Sequence, residues 1–186
     1  MNNATKVTTG KVRLSYAKLL KPEAMEEGGV PKYSTALIIR KDDTLTLDRI
    51  NAAVAHLEEE FKAKNKGKLP AKWKTPLRDG DLEKEDDPNY AGCMFLNCSS
   101  KQKPAVVSLE RGEDGKFKPI TSEEEVYSGM YARVSLNFFT FDTNGNRGIA
   151  AGLNNVQKIA DGEKLAGSSR PEDDFDEEFE LEEDML

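Results

Sequence analysis

A run of alternating side chains between Tyr127 and Asp142 limits the possible folds more than any other segment of the sequence. One parity of this run is apolar, whereas the other mixes aromatic, basic and polar residues. Successive side chains of a β-strand point to opposite faces, so the run predicts one long strand, bent at Gly129, with a core face and an outer face. The predicted core face is Met130, Ala132, Val134, Leu136 and Phe138.

The segment after this run turns back on itself. Asn144-Gly145 is a strong signal for a two-residue hairpin turn, so Gly148–Ile159 is predicted to return as the last strand. Other segments rich in β-forming residues predict further antiparallel strands. These are Lys6–Leu20, Lys32–Arg40, Tyr90–Ser99, and a hairpin made of Pro104–Glu110 and Lys116–Ile120.

One amphipathic helix is predicted after the second strand. It begins at Asp42 or Asp43, and Thr44 or Thr46 is the expected cap. Gly67 and Pro70 end it, and the single histidine, His56, lies beside its apolar stripe as a solvated residue. The stripe, spaced by three and four residues, is Leu47, Ile50, Val54, Leu57 and Phe61.

The order of these elements predicts a mainly β fold, an OB-fold-like antiparallel β-barrel with one principal α-helix. Closure into a barrel removes the exposed sheet edges that promote aggregation. The helix falls between the second and third predicted strands, whereas in an OB-fold it more usually follows the third. Either one strand is misassigned, or the chain is an elaborated OB variant.

The last sixteen residues, Pro171–Leu186, carry ten carboxylates and no Lys or Arg. The whole chain has a net charge of −7, but residues 1–170 carry 27 basic and 24 acidic side chains, a net of +3. A segment so acidic buries too little apolar surface to fold alone. We therefore predict a domain over residues 1–160 and a linker with a disordered acidic tail over residues 161–186. Such a tail is expected to compete with nucleic acid for the basic body.

The two cysteines, Cys93 and Cys98, lie five residues apart in a predicted strand and so point to opposite faces. Buried thiols in a reducing cytoplasm are expected, rather than a disulfide or a metal site, and no cofactor is predicted. The chain has no apolar run of about 20 residues, and the N-terminal sequence lacks a signal peptide. We expect a protein that remains in the cytoplasm, that of the host cell if a phage encodes it, without a membrane partner.

Basic and aromatic residues are interleaved at several places. This pattern favours single-stranded nucleic acid as a ligand, because its phosphates need cations and its bases need aromatic faces. Trp73, one of the candidate DNA contacts, could instead fill the interior of the barrel. Phe139 and Phe141 could pack under a loop or at a homodimer interface. The candidate DNA-binding residues are Lys11, Arg13, Lys32, Tyr33, Lys72, Trp73, Lys74, Arg78, Lys101, Lys103, Tyr131, Arg133, Phe139, Phe141 and Arg147.

Signals for catalysis are weak. The aperiodic segment 67–90 is a long connection, and long ordered loops are usually functional. It contains Asp79, Asp81 and the acidic run Glu83–Asp87, which could hold Mg²⁺ as in a nuclease. No phosphate-binding glycine loop, nucleophile elbow or second histidine accompanies them. A non-enzymatic protein is the expectation.

The segments KYSTALIIRKDD, TPLRDGD, YAGCMFLNCSS and the strand pair from Tyr127 to Ile159 resemble a phage family of OB-fold single-stranded-DNA-binding proteins, long catalogued as a domain of unknown function. The resemblance covers most of residues 5–168. Its more specific elements are Tyr127-x-Gly129-x-x-x-Arg133 and the ending Gly148-Ile149 to Asn154-Asn155-Val156-Gln157.

The acidic tail is similar in layout to those of the phage T7-type and bacterial single-stranded-DNA-binding proteins, with Met185-Leu186 at the tip in place of an aromatic residue. This resemblance implies a protein that coats and protects single strands in DNA replication, recombination or repair, without catalysis. The tail residues expected to contact replication or recombination proteins are Phe175, Phe179, Met185 and Leu186.

Two alternatives remain open at this point. A phage interaction protein, with the tail as a DNA mimic, would bind only protein. A metal-dependent nuclease would use Asp79, Asp81 and their neighbours.

Overall fold

The computed structural model describes residues 3–24 and 26–165. The acidic tail lies outside the described residues. The two helices are α1 (Thr44–Lys64) and the short α2 (Gly80–Glu83). The strands are β1 (Lys6–Thr8), β2 (Val12–Glu23), β3 (Lys32–Arg40), β4 (Trp73–Lys74), β5 (Arg78–Asp79), β6 (Cys93–Ser100), β7 (Ala105–Arg111), β8 (Phe117–Pro119), β9 (Tyr131–Thr143) and β10 (Asn146–Ala160).

Five of the strands pair in a ring. β2 pairs with β3, β3 with β6, β6 with β10, β10 with β9, and β9 again with β2. The third and fifth members, β6 and β10, are parallel, and the other four pairings are antiparallel. This is the strand order of an OB-fold, a five-stranded, partly open Greek-key barrel. The predicted fold class is confirmed.

The long hairpin of β9 and β10 supplies much of the core. The five predicted core-face residues of β9 and its lead-in are at most 1% exposed. The turn lies at Asn144-Gly145, where both residues have positive φ, 51° and 81°. Period-two alternation is a reliable signal here because one face of the strand is buried along its whole length.

Helix α1 falls between the second and third strands of the ring, so the chain is an elaborated OB variant and no strand was misassigned. Ile50, Val54 and Leu57 are buried in the core, as the stripe predicts. The predicted threonine cap is wrong. Asp43 caps the helix by accepting the N–H of Thr46, whose own hydroxyl accepts the N–H of Gly10.

Two segment boundaries also differ from the prediction. The predicted first strand is divided into β1 and β2 after Thr8. Thr9 still donates its N–H to the carbonyl of Val134, but its hydroxyl, instead of its carbonyl, accepts the N–H of Val134, which interrupts the regular pairing. The predicted irregular connection 67–90 contains β4, β5, α2 and a 3₁₀ turn at Pro88–Tyr90. Within the described ranges, no helix is long and apolar enough to cross a membrane.

The two cysteines lie on opposite faces of β6, as predicted. Cys98 is in the main core, and burial raises the pKa of its thiol to about 12. Cys93 belongs to a second, smaller cluster on the outer side of the barrel with Ile38, Tyr90 and Phe95. Both are buried free thiols.

Candidate nucleic-acid interface

A groove lies on the outer face of β2, β3 and β6, the first three strands of the ring. We call it the outer groove; its cavity volume is about 400 Å³. In OB-folds, this side of the barrel is where oligonucleotides bind. Its lining residues are Tyr16, Lys18, Glu23, Ala24, Ser34, Thr35, Ala36, Arg78, Lys84, Tyr90, Phe95 and Asn97.

Tyr16 is the exposed aromatic residue of the outer groove. It lies in an irregularity of the β2–β3 register between Ser15 and Lys18, and its side chain is 59% exposed. Its φ of +49° is in the left-handed region, which costs a non-glycine residue roughly 1–3 kcal/mol. A β-bulge changes the direction of a side chain, and here it leaves an aromatic ring exposed to solvent.

Tyr90 and Phe95 form the floor of the groove. Their rings meet edge to face with centroids 5.2 Å apart, and both residues are at most 2% exposed. Burial raises the pKa of Tyr90, and a hydrogen bond with Ser15 opposes this shift. The floor is therefore apolar and uncharged, and its two rings are part of the second cluster of buried residues.

Three cations surround this floor. Lys18 pairs with Glu23 at 3.1 Å. Arg78 binds Glu83 through Nε and a terminal nitrogen, at 2.9 and 2.6 Å, and its guanidinium lies 5.2 Å from the centre of the Phe95 ring.

The third cation, Lys84, lies near all three rings of the groove. Its Nζ is 5.9 Å from the ring centre of Tyr16, 5.8 Å from Tyr90 and 5.9 Å from Phe95. Among the described residues, no carboxylate lies within ion-pair distance of Lys84. Its charge is thus available to a phosphate beside an aromatic surface, which is the combination that single-stranded nucleic acid needs.

Of the predicted DNA-binding residues, only Arg78 lines the outer groove. Lys11, Arg13 and Tyr131 form a separate group, with Lys11 Nζ 5.3 Å and the Arg13 guanidinium 5.6 Å from the Tyr131 ring centre. Arg13 also donates to the carbonyls of Gly129 and Glu163 at 3.1 and 2.7 Å. A third hydrogen bond of Arg13 goes to the side-chain oxygen of Asn89 at 3.5 Å, so its guanidinium is engaged within the protein.

Two further groups of predicted residues lie at other places on the barrel. Tyr33 pairs with Ser100, so Lys32 and Tyr33 lie near the exposed Lys101 at one end of the β3–β6 pair, and Lys103 follows in the next turn. At the β4–β10 pairing, Trp73 is opposite Arg147, and exposed Lys72 and Lys74 flank it.

Trp73 packs against the main core and against Phe61 of α1, with ring centroids 4.7 Å apart. Its Nε1 is buried without a hydrogen-bond partner in the described part of the chain. This is the barrel-filling placement considered from the sequence. Its role as a DNA contact stays a prediction.

The remaining predicted residues follow the outer face of β9. Phe139 is 44% exposed, Phe141 is half-buried, and Arg133 is exposed. Arg147, at the tip of the hairpin, pairs with Asp142 at 3.0 Å. These residues are spread along the strand rather than gathered at the outer groove.

Three of the acidic residues proposed for a metal, Asp79, Asp81 and Glu83, are engaged with basic groups. Lys41 Nζ lies 2.9 Å from Asp79 and 2.7 Å from Asp81. Its hydrogen bonds lower the pKa of both carboxyls, and the two carboxylates, Asp81 first, raise the pKa of Lys41. No group of three or more potential metal ligands occurs in the part of the chain that the structure describes.

The chain after β10 crosses back over the barrel beside the outer groove. We call residues 161–165 the strap. The hydroxyl of Tyr127 donates to Asp161 at 2.9 Å and accepts from the N–H of Gly162 at 3.0 Å. Leu165 packs against the second cluster, which includes the groove residues Tyr90 and Phe95. The strap thus ends beside the second cluster, next to the outer groove.

Sequence reasoning missed Tyr16, Lys18, Lys84, Tyr90 and Phe95 as groove residues. Tyr16 and Lys18 lie in the predicted first strand, but a register irregularity is visible only once the partner strand is placed. Tyr90 and Phe95 lie within the predicted third strand, where a five-residue spacing predicts opposite faces. They meet because Tyr90 lies in the 3₁₀ turn before β6 and not in the strand. Lys84 had one usable signal, its place in the long connection between two strands of the barrel.

A small OB barrel with aromatic and basic residues on the face where OB-folds bind oligonucleotides is typical of the class of OB-fold oligonucleotide-binding proteins. The family described as Enterobacter phage Enc34, ssDNA-binding protein, matches residues 5–186. Protein p50 of Acyrthosiphon pisum secondary endosymbiont phage 1 is 30% identical over 171 residues, which are 87% of this chain and 87% of that protein.

Solved structures agree with this match. The bacteriophage Enc34 single-stranded DNA-binding protein in complex with ssDNA has a TM-score of 0.71 at 24% identity, covering 87% of this chain and 90% of that chain. Its C-terminal truncation has a TM-score of 0.68 at 26% identity, covering 87% and 88%. Gp2.5, the single-stranded DNA binding protein of bacteriophage T7, has a TM-score of 0.56 at 18% identity, covering 91% and 97%. The chain belongs to the family of the phage Enc34 single-stranded-DNA-binding protein.

Proposed function

We propose that this chain binds single-stranded DNA in phage replication, recombination or repair, and that the strand lies in the outer groove. The observation that carries the groove assignment is Tyr16, an exposed aromatic ring held in a left-handed conformation with Lys84 beside it. Family membership supports the ligand, and the position on the first three barrel strands supports the face. The protein acts without catalysis, in the cytoplasm of the host.

The groove offers both parts of a single-strand site. Tyr16 stacks on a base, which contributes about 1–3 kcal/mol. Lys84 and the neighbouring cations neutralise phosphates. Because Lys18 and Arg78 already have carboxylate partners, each exchanges one anion for another when DNA binds. Four to six phosphate contacts over the whole footprint give a slope of log affinity against log salt of about −3 to −4.

The acidic tail is proposed to compete with DNA for this groove and to recruit replication or recombination proteins when DNA displaces it. The strap supports this arrangement, because Leu165 already packs on the residues that form the groove floor. The tail is proposed to begin after a linker that follows the domain at about residue 160. Phe175, Phe179, Met185 and Leu186, which would contact partners, lie outside the described residues. A homodimer through exposed Phe139 is a further proposal.

The test of the groove is fluorescence anisotropy with labelled single-stranded DNA and two pairs of variants. Tyr16→Ala is expected to weaken binding about fivefold or more through the lost stack, and Tyr16→Phe to retain it. Lys84→Ala is expected to weaken binding and to reduce the salt slope by about 0.7.

Lys64→Ala serves as the matched control for Lys84→Ala, because Lys64 is an exposed lysine at the far end of α1. If Tyr16→Ala and Lys84→Ala bind single-stranded DNA with the same affinity as Lys64→Ala and wild type, the outer groove is excluded as the site. Binding by wild type would then point to one of the other basic surfaces.

A further inference from the structure

A second groove lies on the other side of the barrel. We call it the hairpin groove, because the β7–β8 hairpin forms one wall and the outer faces of β9 and β10 form the other. Its volume is about 510 Å³, and it shares no lining residue with the outer groove. Its lining residues are Thr8, Ala105, Val107, Arg111, Gly115, Lys116, Phe117, Arg133, Ser135, Asn155, Val156 and Gln157.

The hairpin groove holds a preformed stack of a cation on an aromatic ring. Arg111 and Phe117 are directly opposite each other in the β7–β8 pairing. The guanidinium of Arg111 lies 4.1 Å from the ring centre of Phe117, and Arg111 donates to the carbonyl of Gly115 at 2.7 Å. Phe117 remains 37% exposed. Guanidinium planes and aromatic rings are the surfaces on which unpaired bases stack.

The charge of the hairpin groove is of one sign. Its three ionisable lining residues are Arg111, Lys116 and Arg133, and within the described ranges none of them has a carboxylate at ion-pair distance. Arg133 donates only to the carbonyl of Thr9. In the outer groove, by contrast, two of the three cations are paired with carboxylates.

Three carboxylates are close in sequence to the hairpin groove, and none of them lines it; Glu113 is exposed in the turn. Asp114 accepts the main-chain N–H of Lys116 within the turn, and Glu110 pairs with Lys118 outside the groove. Asn155 and Gln157 add side-chain amides to the lining, and Gln157 donates to the carbonyl of Ser108 at 3.4 Å. Amides are groups that hydrogen-bond base edges and phosphates in nucleic-acid complexes. An arrangement of free cations, amides and a stacking surface favours a nucleic-acid strand over an apolar partner.

We propose that the hairpin groove is a second contact site for the same single strand, with Arg111 and Phe117 taking one base and Lys116 and Arg133 taking phosphates. This inference rests on the proposed function and extends it. Because the two grooves lie on different strands of the barrel, a short oligonucleotide fills only one of them, whereas a longer strand leaving the outer groove reaches the other. The second contact lengthens the footprint and steepens the salt dependence.

The experiment measures the affinity of the tail-deleted and full-length chains for oligo(dT) of about 8 and about 30 nucleotides, lengths within and beyond the footprint of one OB-fold. Phe117→Ala and Lys116→Ala are the test variants. Lys118→Ala is the matched control, because Lys118 is on the same hairpin, carries the same charge and lies outside the groove. Thermal unfolding verifies that every variant folds.

Both test variants are expected to bind the 8-mer as wild type does and to bind the 30-mer about fivefold more weakly, with Lys116→Ala lowering the salt slope for the 30-mer by about 0.7. The inference would be overturned if the test variants bind the 30-mer as wild type does, or if they lose the same affinity for both oligonucleotides. Neither result would contradict the assignment of the outer groove. If the affinity for DNA falls only in the full-length chain, the hairpin groove binds the acidic tail and not DNA, which would also overturn the inference. Failure of wild type to bind either oligonucleotide would contradict the proposed function itself.

Discussion

Tyr16 is held in a left-handed backbone conformation that a tyrosine rarely adopts. A tyrosine at a φ of +49° that is 59% exposed gains little burial in return for the backbone strain. Such outliers cluster at functional sites, where the surrounding structure imposes them. In this chain, the paired strands on either side of the bulge impose it, and the ring is left at the edge of a groove of cations.

Tyr16→Gly separates the stability of this position from its function. Glycine adopts positive φ without strain, so Tyr16→Gly is expected to be as stable as wild type, and about 1 kcal/mol more stable than Tyr16→Ala. Both variants are expected to lose the same affinity for single-stranded DNA. Chemical denaturation and anisotropy measure the two quantities, and a Tyr16→Gly protein clearly less stable than Tyr16→Ala would contradict the strained assignment.

At the scale of elements, the strands and the main helix could be predicted because their side-chain periods are regular. The core face of β9 was visible because its apolar residues alternate without interruption over Met130–Phe138. The groove was largely invisible, because it is assembled from a bulge, a loop lysine and two buried rings that only the pairing of β2, β3 and β6 brings together. Thr9 divided the first strand through a hydrogen bond to a residue far along the chain.

Lys41 adds an ionic contact to the pairing with β6 that holds the segment β5–α2 on the barrel. Lys41 bridges Asp79 and Asp81, and Asp81 also accepts the N–H of Gly92. Since the folded-state pKa of each carboxyl is lowered, the stabilisation is present above the ordinary carboxyl pKa of 3.8. It is lost as the pH falls through the lowered values.

Lys41→Met removes the charge and keeps much of the side-chain volume. We expect the pKa of both Asp79 and Asp81 to rise, since the hydrogen bond from Lys41 is the largest cause of each lowered value. The acid limb of the stability curve should flatten accordingly. Carboxyl-carbon NMR titration measures the shifts, with Arg40→Met as a control at an exposed neighbouring cation paired with Asp42. Unchanged titration of Asp79 and Asp81 would refute the bridge.

The strap depends on close contact between two main-chain segments. A Cβ on Gly129, whose φ is +115°, would overlap the carbonyl of Glu163, and a Cβ on Gly162 would overlap the carbonyl of Gly129. Only glycine permits this approach. Hydrogen bonds from Lys158 and then Tyr127 lower the pKa of Asp161, so its carboxylate remains charged within the strap.

Tyr127→Phe tests whether the strap positions the tail. The variant removes the hydroxyl that binds Asp161 and Gly162 and leaves the ring packed against the core. We expect it to raise the low-salt affinity of the full-length chain for single-stranded DNA and to leave that of the chain lacking Pro171–Leu186 unchanged. An equal change in both chains would mean that the strap does not act through the tail. The chain lacking Pro171–Leu186 is thus the control, because it keeps the strap and lacks the acidic tail.

At the scale of the whole molecule, the chain joins a positively charged body to a negatively charged tail. Residues 1–170 have a net charge of +3, and the last sixteen residues contribute ten carboxylates. This division could be read from the sequence because it needs no knowledge of the fold. The basic side chains, however, are distributed over several faces of the barrel, so composition predicted a nucleic-acid ligand without indicating the groove that holds it.

If the body binds single-stranded DNA and its own tail opposes this binding, both properties appear in one anisotropy experiment. It uses a labelled single strand of about 30 nucleotides and the matching duplex, with the full-length chain and with the chain lacking Pro171–Leu186, across a salt series. We expect preference for the single strand, affinity that falls with salt, and a gain on tail deletion that is largest at low salt, where charge is least screened. Absence of binding by both chains would rule out single-strand binding and favour a protein that binds only other proteins.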